Sequence, residues 1–179
     1  MNGKRVADSY SEQVQILTQA NINGYHRLFG GQLMEWIDIV AAVVARRHSG
    51  QNVTTAVVDT LTFQAPAHAN DTVIICGYVT YVHRTSMEIC TKTYVENLNG
   101  TRKLINTAYL VMVALDEQEK PTEVPQLILE TAEEKAEWQA VYAPRGDALE
   151  RRVRQTLDGL EEKNRYAYPK RGAFIAAAL

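Results

Sequence analysis

An aspartate and a glycine pair in one stretch of this sequence have a spacing that acyl-transfer chemistry could use. The stretch runs from Leu28 to His48, with Gly30-Gly31 near its start and Asp38 near its middle. The first N–H groups of a helix lack intrahelical acceptors, and glycines let a ligand approach them, so they could stabilise an oxyanion. A carboxylate about two turns further along could act as general base or nucleophile. Alternatively, the glycines make only a tight entry turn and Asp38 faces water.

The apolar residues of this stretch predict a long helix that positions Asp38. They recur with helical spacing, at Leu33, Trp36, Ile37, Val40 and Val44. Cations at Arg46-Arg47-His48, followed by Ser49-Gly50, are typical of a helix C-terminus. On a helical wheel Asp38 lies at the margin of the polar or small face, formed by Gln32, Glu35, Ala42 and Arg46. The pattern alone therefore favours a solvent-facing aspartate, and a catalytic one requires that the helix be enclosed.

The segments around this helix are predicted to be strands. A first short strand falls in 13–17, and four longer ones follow the helix at 52–64, 72–83, 86–95 and 103–115. Short turns, such as Asn97-Leu98-Asn99-Gly100, indicate antiparallel pairing, and no further helix separates the strands as a βαβ pattern would require. Because the helix is apolar over more than half of its circumference, the sheet must curve around it. The predicted fold class is α+β.

The two ends of the chain differ from this central part. Residues 1–10 are polar and are predicted to be frayed. Prolines at Pro121 and Pro125 mark a linker, which predicts one domain at 1–125 and a C-terminal helical extension at 126–179. Within the extension, Thr131 is a plausible cap for a helix that continues to about Tyr142. An amphipathic helix is expected within 145–165, with its apolar stripe at Leu149, Val153, Leu157 and Leu160.

Composition narrows the class of function. A chain of 179 residues with a formal net charge of -2 has no general attraction for nucleic acid or acidic membranes. Cys76 and Cys90 lie in strand-like apolar runs, so buried free thiols, a reducing compartment and a cytoplasmic location are expected. The histidines lie in separate segments without ligand spacing, at positions 26, 48, 68 and 83. No metal site and no redox cofactor are predicted.

Several motifs in order resemble the hotdog-fold acyl-CoA thioesterases, most closely the cytosolic acyl-CoA hydrolase family. The first is Asn23 followed, after five residues, by Phe29-Gly30-Gly31-Gln32-Leu33-Met34-Glu35-Trp36-Ile37-Asp38. The others are Ala45–His48, Val53–Asp59, Phe63–Pro66, Asn70-Asp71, Arg84–Glu88 and Val111–Asp116. Together they cover roughly residues 12–130. The chain differs from the family in its loops, where His26 and Asn70 stand at positions that are commonly glycine.

The resemblance implies a hotdog fold, in which a five-stranded antiparallel sheet wraps the long helix. It implies homodimers with active sites at the dimer interface, often assembled as a trimer of dimers, and hydrolysis of fatty acyl-CoA to a fatty acid and coenzyme A. It assigns Asp38 as the catalytic carboxylate, Asn23 as its partner from the other half-site, and the Gly31 N–H as the group that polarises the carbonyl. Gly30 and the segment Arg84-Thr85-Ser86 would lie at the coenzyme A portion.

Two other functions fit the same fold. A non-catalytic acyl-CoA sensor would bind the ligand without releasing thiol, but such regulators usually carry a DNA-binding element for which residues 1–12 are too short. A hotdog hydratase or dehydratase would need a paired histidine and carboxylate, and the central helix shows no such pair.

Overall fold

The computed structural model describes residues 3–140, 151, 154 and 155. Its elements, in chain order, are β1 (Lys4–Arg5), α1 (Val6–Ser9), β2 (Ser11–Ile16), α2 (Gly30–Ser49), β3 (Asn52–Phe63), β4 (Thr72–Val82), β5 (Ser86–Glu96), β6 (Arg102–Leu115), β7 (Leu127–Ile128) and α3 (132–140). The predicted long helix and the five predicted strands are confirmed, with bounds that differ by only one or two residues.

Helix α2 forms the centre of the core, as its apolar spacing predicts. Its buried residues are Leu33, Trp36, Ile37, Val40, Ala41, Val44, Ala45 and His48. The helix ends at Gly50, whose φ of 70° is left-handed and whose N–H donates to the carbonyl of Arg46. This is the conformation that glycine adopts at a helix C-terminus with little strain.

The main sheet is antiparallel throughout and has the strand order β2-β4-β5-β6-β3. Helix α2 contacts all five of its strands, so the sheet curves around the helix. One close approach depends on Gly77, where a Cβ atom would lie 2.8 Å from Val40 Cγ1 and 3.0 Å from Val44 Cγ2. Strand β3 forms one edge of the sheet and β2 the other. The predicted enclosure of the helix is therefore confirmed.

The prediction that residues 1–10 are frayed is wrong for the described part of that segment. β1 pairs in parallel with β7, Lys4 with Leu127 and Arg5 with Ile128. Val6 in α1 is 8% exposed and Ser9 is fully buried. A few apolar residues among polar ones are too weak a sequence signal to show that a segment far along the chain, 127–128, supplies the pairing partner.

The C-terminal extension is described continuously as far as residue 140, and beyond that only at 151, 154 and 155. Thr131 Oγ1 accepts a hydrogen bond from the N–H of Glu134, whose carboxylate accepts one from the N–H of Thr131, so the predicted cap is confirmed. Helix α3 packs on the outer face of the sheet, where Tyr78 donates to Glu137 and the rings of Tyr81 and Trp138 lie 5.7 Å apart. The predicted amphipathic helix in 145–165 falls almost entirely outside the described residues, and the domain division at 125 stays a prediction.

Both cysteines are buried and carry free thiols, as predicted. Burial raises the pKa of the Cys76 and Cys90 thiols, which makes thiolate formation unfavourable. No described helix is both long and apolar enough to span a membrane.

Candidate active site

Asp38 is neither fully exposed to solvent nor fully enclosed, the two alternatives that the sequence leaves open. Its side chain is half-buried on the side of α2 that faces strand β3. The Oδ1 atom accepts a hydrogen bond of 2.6 Å from Thr55 Oγ1. Such a short bond to a carboxylate is charge-assisted and holds one oxygen in place. Asp38 is therefore an oriented carboxylate at the margin of the helix–sheet interface, and not a freely solvated one.

Thr55 is a further candidate residue, which the sequence analysis did not single out. It lies on β3, opposite Met112 of β6, and its Oγ1 is 3.4 Å from the Met112 sulfur. Its single hydroxyl proton is directed to the carboxylate, which is the better acceptor. The signal was present in the motif Val53–Asp59, but the sequence does not reveal which β3 residue lies beside Asp38.

The loop that precedes α2 holds Asn23 in a defined orientation. Its Oδ1 accepts hydrogen bonds from the N–H groups of Tyr25 (2.9 Å) and Arg27 (3.3 Å), and its own N–H donates to the Arg27 carbonyl (2.8 Å). Among the described residues none accepts a hydrogen bond from the side-chain Nδ2. That donor is available to a ligand or to a second chain.

His26 and Asn70, which stand at positions where the resemblance implies glycine, both have left-handed backbone conformations. Their φ angles are 56° and 73°, in the left-handed region that glycine enters without strain. Asparagine and histidine are among the non-glycine residues that adopt this conformation more often than most. The backbone at His26 therefore has the left-handed conformation that a glycine would also adopt.

The first turn of α2 presents backbone donors beside this loop. The first i to i−4 hydrogen bond runs from the Leu33 N–H to the Phe29 carbonyl, so the N–H groups of residues 30–32 have no intrahelical acceptor. A Cβ atom on Gly31 would lie 2.6 Å from the Phe29 ring, and one on Gly30 would lie 3.4 Å from Phe63. A side chain at position 31 would therefore have to displace the exposed Phe29 ring, and the two glycines leave the donors accessible.

One chain does not bring all of these groups to a single point. Asp38 is seven residues beyond Gly31, which is about 10 Å along a helix axis. Reacting atoms must come within about 3 Å of each other, and Asp38 Oδ1 is held on the side of Thr55. The chain therefore carries two separate groups of candidate residues (half-sites), one with Asp38 and Thr55, the other with Asn23 and the donors at Gly30-Gly31.

The surface next to Asp38 is apolar and exposed. On α2, Met34, Ile39 and Val43 are 46%, 47% and 37% exposed, and Val58 on the edge strand β3 is 45% exposed. Large apolar side chains grouped beside an unpaired strand edge are typical of a protein–protein interface.

The segment Arg84-Thr85-Ser86 forms the turn between β4 and β5. Ser86 pairs with Val113, which in turn pairs with Thr54 on β3, so this turn lies about 10 Å across the sheet from Thr54. Arg84 is exposed and lines a cleft of about 430 Å³ together with Trp138. Ser86 is only 9% exposed, so the exposed Arg84 is better placed than Ser86 to meet a ligand.

A second cavity, of about 390 Å³, lies beside the other half-site. Asn23 and Gly30 line it on one side and the end of β3 at Phe63 on the other. Within the described residues, no three His, Cys, Asp or Glu side chains are grouped so that they could hold a metal ion.

Comparisons of sequence identify relatives of this chain. The family model described as Thioesterase superfamily matches residues 25–98. An uncharacterized acyl-CoA thioester hydrolase of Bacillus subtilis is 42% identical over 113 residues, which cover 63% of this chain and 66% of that protein. Another such hydrolase, of Zymomonas mobilis, is 33% identical over 132 residues, which cover 70% of this chain and 86% of that protein.

Solved structures show the same architecture. An apo-hexameric acyl-CoA thioesterase superposes with a TM-score of 0.79 at 33% identity, covering 84% of this chain and 97% of that one. The acyl-CoA hydrolase of Staphylococcus aureus, solved with butyryl coenzyme A, coenzyme A and coenzyme A disulfide, gives 0.76 at 30% identity, covering 92% and 99%. The same enzyme has been solved with an aspartate, a threonine or an asparagine replaced by alanine.

Proposed function

The chain belongs to the acyl-CoA thioester hydrolases of the thioesterase superfamily, and we propose that it cleaves acyl-CoA with Asp38 as the catalytic carboxylate. The observation that carries this assignment is the 2.6 Å hydrogen bond from Thr55 to Asp38. It fixes Oδ1 and leaves Oδ2 to act on the substrate.

The reaction adds water across the thioester. A C–O bond forms at the carbonyl carbon, the C–S bond breaks, and coenzyme A leaves as a thiol. Asp38 Oδ2 acts either by taking a proton from the attacking water and passing it to the departing sulfur, or by attacking the carbonyl carbon itself to form an acyl anhydride that water then hydrolyses. In both routes negative charge develops on the carbonyl oxygen. The Gly31 N–H, at the positive end of the α2 dipole, is the donor proposed to stabilise it.

A spacing shared with the Staphylococcus aureus hydrolase supports these roles. The asparagine, aspartate and threonine that were substituted in that enzyme are numbered 15 and 17 residues apart. Asn23, Asp38 and Thr55 are separated by the same two intervals. Thr55 is thereby proposed as the positioning residue of Asp38, and Asn23 as a group that contacts the substrate.

We propose that two copies of the chain complete each active site. Asp38 and Thr55 of one copy would face Asn23 and Gly31 of the other, because neither half-site alone holds both the carboxylate and the carbonyl donors. The exposed edge of β3 and the apolar face of α2 are suited to this pairing. A trimer of such dimers is proposed from the hexameric state named for the similar thioesterase.

Coenzyme A is proposed to lie along the turn at Arg84-Thr85-Ser86. The exposed Arg84 guanidinium suits a phosphate group, whereas the buried Ser86 contributes to the shape of the turn. A cytoplasmic location is proposed from the buried free thiols of Cys76 and Cys90.

Thiol release from a series of acyl-CoA substrates tests the activity. We expect the wild-type protein to release coenzyme A and the variant Asp38→Asn to lose nearly all of this activity while it keeps its fold and oligomeric state. The matched control is Glu35→Gln, an isosteric neutralisation one turn earlier on the exposed face of α2. A folded Asp38→Asn variant with wild-type kcat/KM would exclude Asp38 as the catalytic group. Absence of thiol release by the wild-type protein with every acyl-CoA, together with measurable binding, would instead indicate a sensor.

A further inference from the structure

The cavity beside Asn23 and Gly30 has one charged residue among the described residues that line it. That residue is Arg27, whereas most of the wall is apolar. The inner end is closed by three residues that are each 2% exposed, namely Leu33, Ala67 and Ile105. Arg27 itself is exposed, so its guanidinium belongs to the mouth of the cavity.

The backbone holds Arg27 next to Asn23. Its N–H donates to Asn23 Oδ1 at 3.3 Å and its carbonyl accepts from the Asn23 N–H at 2.8 Å. The structure shows no hydrogen bond or ion pair from the Arg27 guanidinium to any other described residue. A free guanidinium at the mouth of an apolar cavity is a site for an anionic group, since its planar donors match a carboxylate.

We infer that this cavity receives the acyl group of the substrate and that Arg27 selects short acyl groups that end in a carboxylate. The inference rests on the proposed function, in which the thioester carbonyl lies at Asn23 and the first turn of α2. The acyl chain then continues into the adjoining cavity. The backbone of Arg27 is hydrogen-bonded to Asn23, where the thioester carbonyl is proposed to lie. A carboxylate within reach of the Arg27 guanidinium is therefore only a few carbon atoms from the thioester carbonyl. Acyl groups of about four to six carbons would fit this geometry. Only a short chain keeps the terminal carboxylate this close to the thioester carbonyl.

The selection for a terminal carboxylate can be measured with pairs of substrates of equal chain length. The ratio of kcat/KM is determined for succinyl-CoA against butyryl-CoA and for adipoyl-CoA against hexanoyl-CoA, so that each pair differs only in the terminal group. We expect Arg27→Gln to lower this ratio by about tenfold or more, the size of a hydrogen bond to a charged group. Arg27→Lys keeps the positive charge but not the planar pair of donors, so it should retain only part of the ratio. The control Lys135→Gln removes a positive charge from α3, on the outer face of the sheet, and should leave the ratio unchanged.

A second set of substrates distinguishes the two anions that Arg27 could bind, the carboxylate of the acyl group and a phosphate of coenzyme A. The same acyl groups on N-acetylcysteamine carry no phosphate, and the effect of Arg27→Gln on the ratio should persist with them. If Arg27→Gln lowers kcat/KM equally for both members of a pair, or changes the oligomeric state, Arg27 contacts coenzyme A or a second subunit and the inference is wrong. Failure of the proposed function would give a different result, because the wild-type protein would then hydrolyse neither substrate of a pair.

Discussion

Replacing Thr55 by valine removes one hydroxyl group and nearly preserves the shape of the side chain. That hydroxyl donates the 2.6 Å hydrogen bond to Asp38 Oδ1. A hydrogen bond to a charged group contributes about 1.5–3 kcal/mol, so its loss from the transition state lowers kcat/KM roughly 10- to 150-fold. We expect the loss mainly in kcat, because Thr55 orients the reacting carboxylate and is not proposed to bind the substrate.

The assay is continuous thiol release, with Thr54→Val as the control. Thr54 is the preceding residue on β3, and its side chain points to the opposite face of the strand. Thr54→Val should therefore stay within about threefold of the wild type, the range of a typical surface substitution, and Thr55→Ser should keep most of the activity.

A double-mutant cycle separates positioning from general damage. Because Thr55 acts through Asp38, adding Thr55→Val to Asp38→Asn should cost almost nothing further. A folded Thr55→Val enzyme with wild-type kcat, or a fully additive double mutant, would refute the positioning role.

Two further predictions concern stability. His48 is fully buried and its Nε2–H donates to the Pro125 carbonyl, and burial lowers the pKa of the ring. The free energy of unfolding should therefore fall as pH drops below about 6.5, the ordinary histidine pKa. In urea titrations the His48→Gln variant should show a weaker pH dependence of this free energy than the wild type. An equal pH dependence of the two proteins would contradict this prediction. Gly77→Ala places a Cβ atom 2.8 Å from Val40 and should cost about 1–3 kcal/mol. Gly24→Ala, where no atom lies within 4 Å, should change stability by less than about 0.5 kcal/mol.

Much of the fold follows from local patterns. The apolar spacing from Leu33 to Val44 predicts the buried face of α2, and alternation with turn residues predicts the strands. The prediction for residues 4–9 failed because their order depends on pairing with residues 127–128, which no local pattern encodes. Long-range pairing of short segments leaves little trace in either partner.

The candidate site could be predicted only in part. Motif order pointed to Asn23, Gly31 and Asp38, but the helical wheel alone placed Asp38 toward solvent. Its environment depends on the register between α2 and β3, which brings Thr55 beside it. That register is set by packing of the whole helix against the sheet, so Thr55 could not be singled out from neighbouring threonines.

Mixed oligomers of two inactive variants test most directly whether Asp38 and Asn23 meet across an interface. Asn23→Ala and Asp38→Ala chains, each with a different affinity tag, are co-expressed and the mixed species is purified through both tags. In a mixed symmetric dimer with shared sites, one of the two sites receives both intact residues, so half of its sites recover activity. A trimer of dimers that pairs the two chains at random also contains unmixed dimers, so about a quarter of all sites then recover. We expect recovery of thiol release near these levels relative to wild type. Mixed dimers as inactive as the parent variants would show that Asn23 and Asp38 do not act together across the interface.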